Sequence, residues 1–105
     1  MPADLSDLGR FTDVSMLILL SLSDGPKHGY AMLEDIARFS GTLFEPGTLY
    51  GAIARLEARG WIEALATADR RRPYRLTLDG ERVLRSQLAT LKKIVSTGVE
   101  LLALA

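Results

Sequence analysis

The chain has 105 residues, 48% of them apolar and 25% charged, with 13 Lys/Arg balanced by 13 Asp/Glu and no cysteine. That composition describes one globular domain able to bury roughly two-thirds of its unfolded surface. Zero net charge argues against strong sequence-independent attraction to nucleic acid, and the lack of cysteine excludes disulfides and thiolate metal sites, as suits a reducing cytoplasm.

The first ten residues read as a loose arm or an extra turn. A helix follows over about residues 12–23, apolar on most sides and therefore central to the core. Its apolar run, residues 14–22, falls well short of the ~20 residues that cross a bilayer. Asp4, Asp7 and Asp13 precede it with Arg10 as the only cation, so the charged start of a secretory signal is missing and no membrane partner is expected. Asp24, Gly25 and Pro26 form a turn, and helical spacing resumes over residues 28–39 at Tyr30, Leu33 and Ile36 or Ala37. His28, the single histidine, has no cysteine or carboxylate pair beside it and reads as a structural residue at the turn-to-helix junction.

After a short connection through Gly41, residues 46–60 read as a helix with two different faces. Leu49, Ile53 and Leu56 recur at i, i+4 and i+7 and face the core, whereas Gly47, Thr48, Gly51, Ala54 and Arg55 point the other way. Such a small, polar face lets a backbone lie close to base edges and phosphates, although an ordinary amphipathic helix has the same stripe. Pro46 suits the first helical turn and Gly60 the position just past the end.

Residues 61–67 and 73–78 read as a hairpin whose tip, residues 68–72, carries Arg70, Arg71 and Arg72. Tyr74, Leu76 and Leu78 alternate with Arg75 and Thr77, and Ile62 and Ala64 supply the partner's inner face. Pro73 confines its strand to an edge or a strand start. Trp61 begins the first strand and packs between the sheet and a helix. Residues 1–60 hold five Lys/Arg against eight Asp/Glu and residues 61–105 hold eight against five, four of the eight lying between positions 70 and 75. Positive charge is therefore local, and binding to DNA should be modest and salt-sensitive.

Residues 79–105 predict one long helix capped by Thr77, with Asp79 and Glu81 in its first turn. At ~1.5 Å per residue it runs on the order of 35 to 40 Å, more than a small domain needs for its own core. Leu84, Leu88, Leu91 and Val95 follow 4-3-4 spacing, with Leu102 in the same register beyond Gly98. The stripe predicts a homodimer clasped through this helix with help from residues 5–20; folding back on its own domain is the alternative. Gly98 marks a close helix crossing or a point of fraying.

The predicted fold is mainly α with a small β-hairpin: a winged helix-turn-helix in the order α-α-α-β-β, followed by a long C-terminal dimerisation helix. Residues 1–78 form the first part, with the arm, and residues 79–105 the second, in one structural unit. No nucleophile elbow, glycine-rich phosphate loop or paired-carboxylate spacing occurs, so neither an enzyme nor a cofactor is expected.

Three motifs together resemble the PadR-type transcriptional regulators, in the short form with a single C-terminal helix. They are Gly25-Pro26-Lys27-His28-Gly29-Tyr30; Pro46-Gly47-Thr48-Leu49-Tyr50 with Arg55-Leu56-Glu57 and Gly60; and Arg72-Pro73-Tyr74-Arg75-Leu76-Thr77-Leu78-Asp79-Gly80. The resemblance implies a cytoplasmic, dimeric repressor of a roughly palindromic double-stranded DNA operator, often released by a small-molecule effector. It implies that the helix from Pro46 reads the major groove, with Gly47, Thr48, Tyr50, Gly51 and Arg55 at the DNA and Arg70, Arg71, Arg72 and Arg75 in the wing. Glu45 departs from the small hydroxyl residue common before the Pro-Gly of this family and places a carboxylate near the phosphates. With the neutral charge, it favours the alternative of a winged-helix protein-interaction module with weak or no DNA binding.

Overall fold

The structure, a computed structural model, describes residues 13–68 and 70–104. The arm expected over residues 1–10 lies outside them. The apolar first helix is α1, Val14–Ser21, capped by Asp13, whose carboxylate accepts the Ser15 N–H at 3.3 Å. A 3-10 turn, Leu22–Asp24, continues it to Gly25, whose φ of 145° suits glycine. The second helix, α2, is Gly29–Ser40 and ends on Gly41 in the left-handed conformation.

The third helix, α3, is Pro46–Ala58, with Pro46 in its first turn and Gly60 at φ 76° just beyond. Glu45 occupies the N-cap position, but its side chain makes no capping bond and is exposed. Leu49, Ala52, Ile53 and Leu56 are buried against α1 and α2, together with Leu17, Ile18, Met32, Ile36 and Phe44. Gly47, Thr48, Ala54 and Arg55 lie exposed on the opposite side. The i, i+4, i+7 stripe therefore sets which face of α3 is left free.

Three strands make one antiparallel sheet: β1, Lys27–His28; β2, Ile62–Ala64; and β3, Pro73–Leu76, in the spatial order β1-β3-β2. The sequence predicted only the β2–β3 hairpin. The third strand escaped because two residues have no periodicity; it exists only through its pairing of Lys27 with Tyr74 and His28 with Pro73. A second correction concerns Leu78, expected on the inner face of the hairpin. It begins the next helix and is 64% exposed, because Thr77 turns the chain there. The Thr77 hydroxyl accepts the Gly80 N–H at 3.1 Å and donates to the Gly60 carbonyl at 2.6 Å, which caps the helix and ties it to the end of α3.

That helix, α4, is Leu78–Leu104 and runs unbroken through Gly98. It enters the domain tightly: a Cβ built on Gly80 would lie 1.9 Å from the Trp61 carbonyl oxygen. Leu84, assigned by its spacing to an interhelical stripe, is 3% exposed and closes the chain's own core. Beyond it the helix leaves the domain, with Leu88, Val95, Val99 and Leu102 exposed. The extents of 57 × 30 × 20 Å and a radius of gyration of 15.9 Å, against ~13 Å for a compact chain of this size, reflect that projecting helix. No helix among the described residues is long and apolar enough to cross a membrane.

Candidate nucleic-acid interface

The free face of α3 is shaped by what it lacks. Gly47 has no neighbour within 4 Å of a built Cβ, and at Gly51 the nearest atom is the Arg55 guanidinium, at 3.6 Å. Thr48 and Arg55 project from the same surface with no large side chain between them. A helix with such a face can come close to another backbone without displacing anything.

Tyr50 joins this face to its surroundings. It is 49% exposed, and its ring lies directly over the start of α2, where a Cβ on Gly29 would fall 2.6 Å from the phenol oxygen. The phenol end of Tyr50 therefore packs on the start of α2 while about half of the residue stays open to solvent. A cleft of about 350 Å³ opens beside it, lined by His28, Gly29, Tyr30, Tyr50, Tyr74 and the wing residues Arg70, Arg71 and Arg72. It brings together three parts of the chain: the β1–α2 junction, α3 and the hairpin tip. His28 is the N-cap of α2, its Nδ1 accepting the Ala31 N–H at 3.2 Å.

The pairing of charges shows how zero net charge coexists with a locally basic face. Lys27 and Arg38 engage Asp24 and Asp35; Arg75 engages Glu63; Arg82 engages Asp79; and Arg85 engages Glu81. No carboxylate among the described residues pairs with Arg55, Arg70, Arg71 or Arg72. Among the described residues, the cations without an ion-pair partner therefore include those on α3 and the wing tip.

Arg75 does not join them. Alternation along β3 turns it away from Tyr74, onto Glu63 of β2 and toward Leu84, Glu81, Arg85 and Leu88 of α4. The sequence counted it with Arg70, Arg71 and Arg72 as a cation of the ribbon; the register of β2 on β3 sets it opposite Glu63. Trp61 packs against the core and lines a separate cavity of about 300 Å³ with Met16, Leu19, Val83 and Leu91, its ring covered by the Arg59 guanidinium at 5.1 Å.

A part-buried polar knot fixes α1 against α2. The Ser21 hydroxyl, on a residue 2% exposed, donates to Asp35 at 2.7 Å, and Lys27 reaches the Ser21 carbonyl, Asp24 and Asp35. Ser21 donation, then Lys27 and Arg38, hold the Asp35 carboxyl below its ordinary range against the opposing effect of burial. Among the described residues no cluster of His, Asp or Glu is arranged to hold a metal.

Comparison with known proteins supplies context for this geometry. The family model of the transcriptional regulator PadR-like family matches residues 18–86, from α1 into α4. An uncharacterized 37.1 kDa protein in transposon TN4556 of Streptomyces fradiae is 41% identical over 85 residues. Those residues are 81% of this chain but 25% of the relative, so the chain spans about a quarter of that protein's length. The crystal structure of a PadR-family transcriptional regulator from Eggerthella lenta is 33% identical, with a TM-score of 0.72 over 85% of this chain and 80% of the other. A transcriptional regulator from Clostridium thermocellum gives a TM-score of 0.68 at 26% identity, covering 92% and 97% of the two chains.

Proposed function

Because the chain belongs to the transcriptional regulator PadR-like family, we propose that it is a homodimeric repressor that lays α3 in the major groove of a roughly palindromic operator. The observation that carries this reading is the set of guanidinium groups with no ion pair among the described residues, Arg55 on α3 and Arg70 to Arg72 on the wing, flanking a face of small residues. Gly47 and Gly51 allow close approach, Thr48, Tyr50 and Arg55 supply donors at the groove, and the wing arginines bind phosphates. Residues 1–78 are the DNA-binding part and residues 79–105 the dimerisation helix. A cytoplasmic location follows from the DNA partner.

The dimer is supported by the part of α4 that its own chain leaves open: Leu88, Val95 and Leu102 are 40%, 63% and 78% exposed, in one heptad register. Leu91 continues that register beside Trp61, half-buried, and the cavity there is a seat for a releasing small-molecule effector at the edge of the dimer seam. Two-fold symmetry then sets the recognition helices about one helical turn, near 34 Å, apart.

Fluorescence anisotropy tests the reading, using duplexes selected from random sequence against a scrambled duplex near 0.15 M salt. Arg55→Ala is expected to cost on the order of 1 to 3 kcal/mol on the selected site and little on the scrambled one. Removing Arg70, Arg71 and Arg72 together weakens both and flattens the salt dependence. Equal, weak binding to every duplex would instead favour a protein-interaction module, the reading that the uncapped, exposed Glu45 at the start of α3 supports.

A further inference from the structure

We propose that His28 is a phosphate-binding residue of the DNA interface, a neutral N–H donor whose direction is set by its second role as a helix cap. The inference rests on the DNA-binding reading above and adds to it a residue outside α3 and the wing. Because Nδ1 accepts the Ala31 N–H, it carries no proton, and the neutral ring must hold its hydrogen on Nε2. Nε2 lies on the ring edge turned from the helix backbone, and no hydrogen bond among the described residues uses it. The ring is held at both ends of its residue, by the cap on α2 and by the pairing of His28 with Pro73 on β3.

The cleft that His28 lines has the donor set of an anion site. Three arginines, three tyrosines and His28 line it, and no carboxylate is among its lining residues that are described. It is an open cleft between the α2 start and the wing, lined also by Tyr50 of α3. That shape suits a phosphodiester passing through as part of a duplex held on α3. The arginines supply charge, and His28 supplies a direction fixed by its cap on α2. A neutral donor to a charged phosphate contributes affinity without displacing a counterion.

His28→Ser and His28→Asn test this, since each keeps an oxygen to accept the Ala31 N–H while removing the Nε2 donor. Binding is read by anisotropy on a selected duplex and on one of arbitrary sequence, across a salt series, beside thermal melting of each variant. The expected result is about tenfold weaker binding on both duplexes, with the salt slope and melting temperature of the wild type. Wild-type affinity in both variants overturns the assignment while leaving the DNA-binding reading intact. A loss of affinity that tracks a fall in melting temperature in both variants reduces His28 to a cap and also overturns it. A flattened salt slope makes the ring a cation and overturns the neutral-donor form. Failure of the wild type to bind any duplex overturns the DNA-binding reading and this inference with it.

Discussion

Gly80→Ala is expected to destabilise the protein although it adds a single methyl and places the best helix former inside a helix. The new Cβ would stand 1.9 Å from the Trp61 carbonyl oxygen, about 1.1 Å short of the 3.0 Å that real Cβ atoms respect, with the Leu76 side chain at 3.0 Å on another side. The obstacle is backbone, so a rotamer change cannot relieve it; the first turn of α4 must lift from the start of β2. Lifting it breaks the Thr77 N–H bond to the same Trp61 carbonyl, now 3.1 Å, and strains the Thr77 cap. Overpacking of this kind costs ~1 to 3 kcal/mol, the lost hydrogen bond adds about 1, and the gain in helix propensity returns a little under 1. The net is about 1 to 3 kcal/mol, or a fall in melting temperature of roughly 5 to 20 °C for a chain of this length. Thermal unfolding followed by circular dichroism measures it. Gly98→Ala is the counterpart on the same helix: nothing lies within 4 Å of its built Cβ, so in the isolated protomer it should stabilise by ~0.5 to 1 kcal/mol. A Gly80→Ala variant that melts at or above the wild type would refute the close approach and the reasoning built on it.

Leu88→Arg and Val95→Arg should shift sedimentation toward monomer without loss of helical signal, because both side chains are outside the protomer core. If both variants stay dimeric, the open stripe of α4 is not the interface. Replacing Glu45 with Ser should tighten DNA binding on every sequence and raise stability by ~1 kcal/mol, since the serine caps α3 where the glutamate makes no bond and a carboxylate leaves the phosphates. Unchanged affinity would place Glu45 away from the duplex. Asp35, held below its ordinary 3.8 chiefly by Ser21, binds its proton less readily folded than unfolded. Its stabilising contribution is therefore full at neutral pH and is lost as pH falls below about 4 toward the folded value. Urea unfolding across the acid range should show a smaller acid loss in Asp35→Asn than in the wild type, and parallel curves would rule out Asp35 as a source of acid sensitivity.

The helices were legible because their signals are local. The stripe of Leu49, Ile53 and Leu56, Pro46 at a first turn, Gly60 just past an end and Thr77 as a cap each act within a few residues, and the elements observed over Gly29–Ser40, Pro46–Ala58 and Leu78–Leu104 follow them closely. The sequence likewise determined the small outer face of α3, since burying one side of a helix leaves the other exposed. It could not determine which long-range partner each side chain meets. Lys27 and His28 become a strand only when β3 arrives; Leu84 carries the spacing of an open stripe until β3 and the start of the chain's core close over it. Arg75 and Arg72 are near in sequence, yet strand alternation hands one to Glu63 and leaves the other at the wing. The composition's zero charge was correct and uninformative about the surface, because tertiary structure decides which cations are neutralised by a neighbouring acid. The same holds for the cleft: His28, Tyr50 and Arg70 to Arg72 belong to elements whose own periodicities are independent, and only their packing through Gly29 makes them one site.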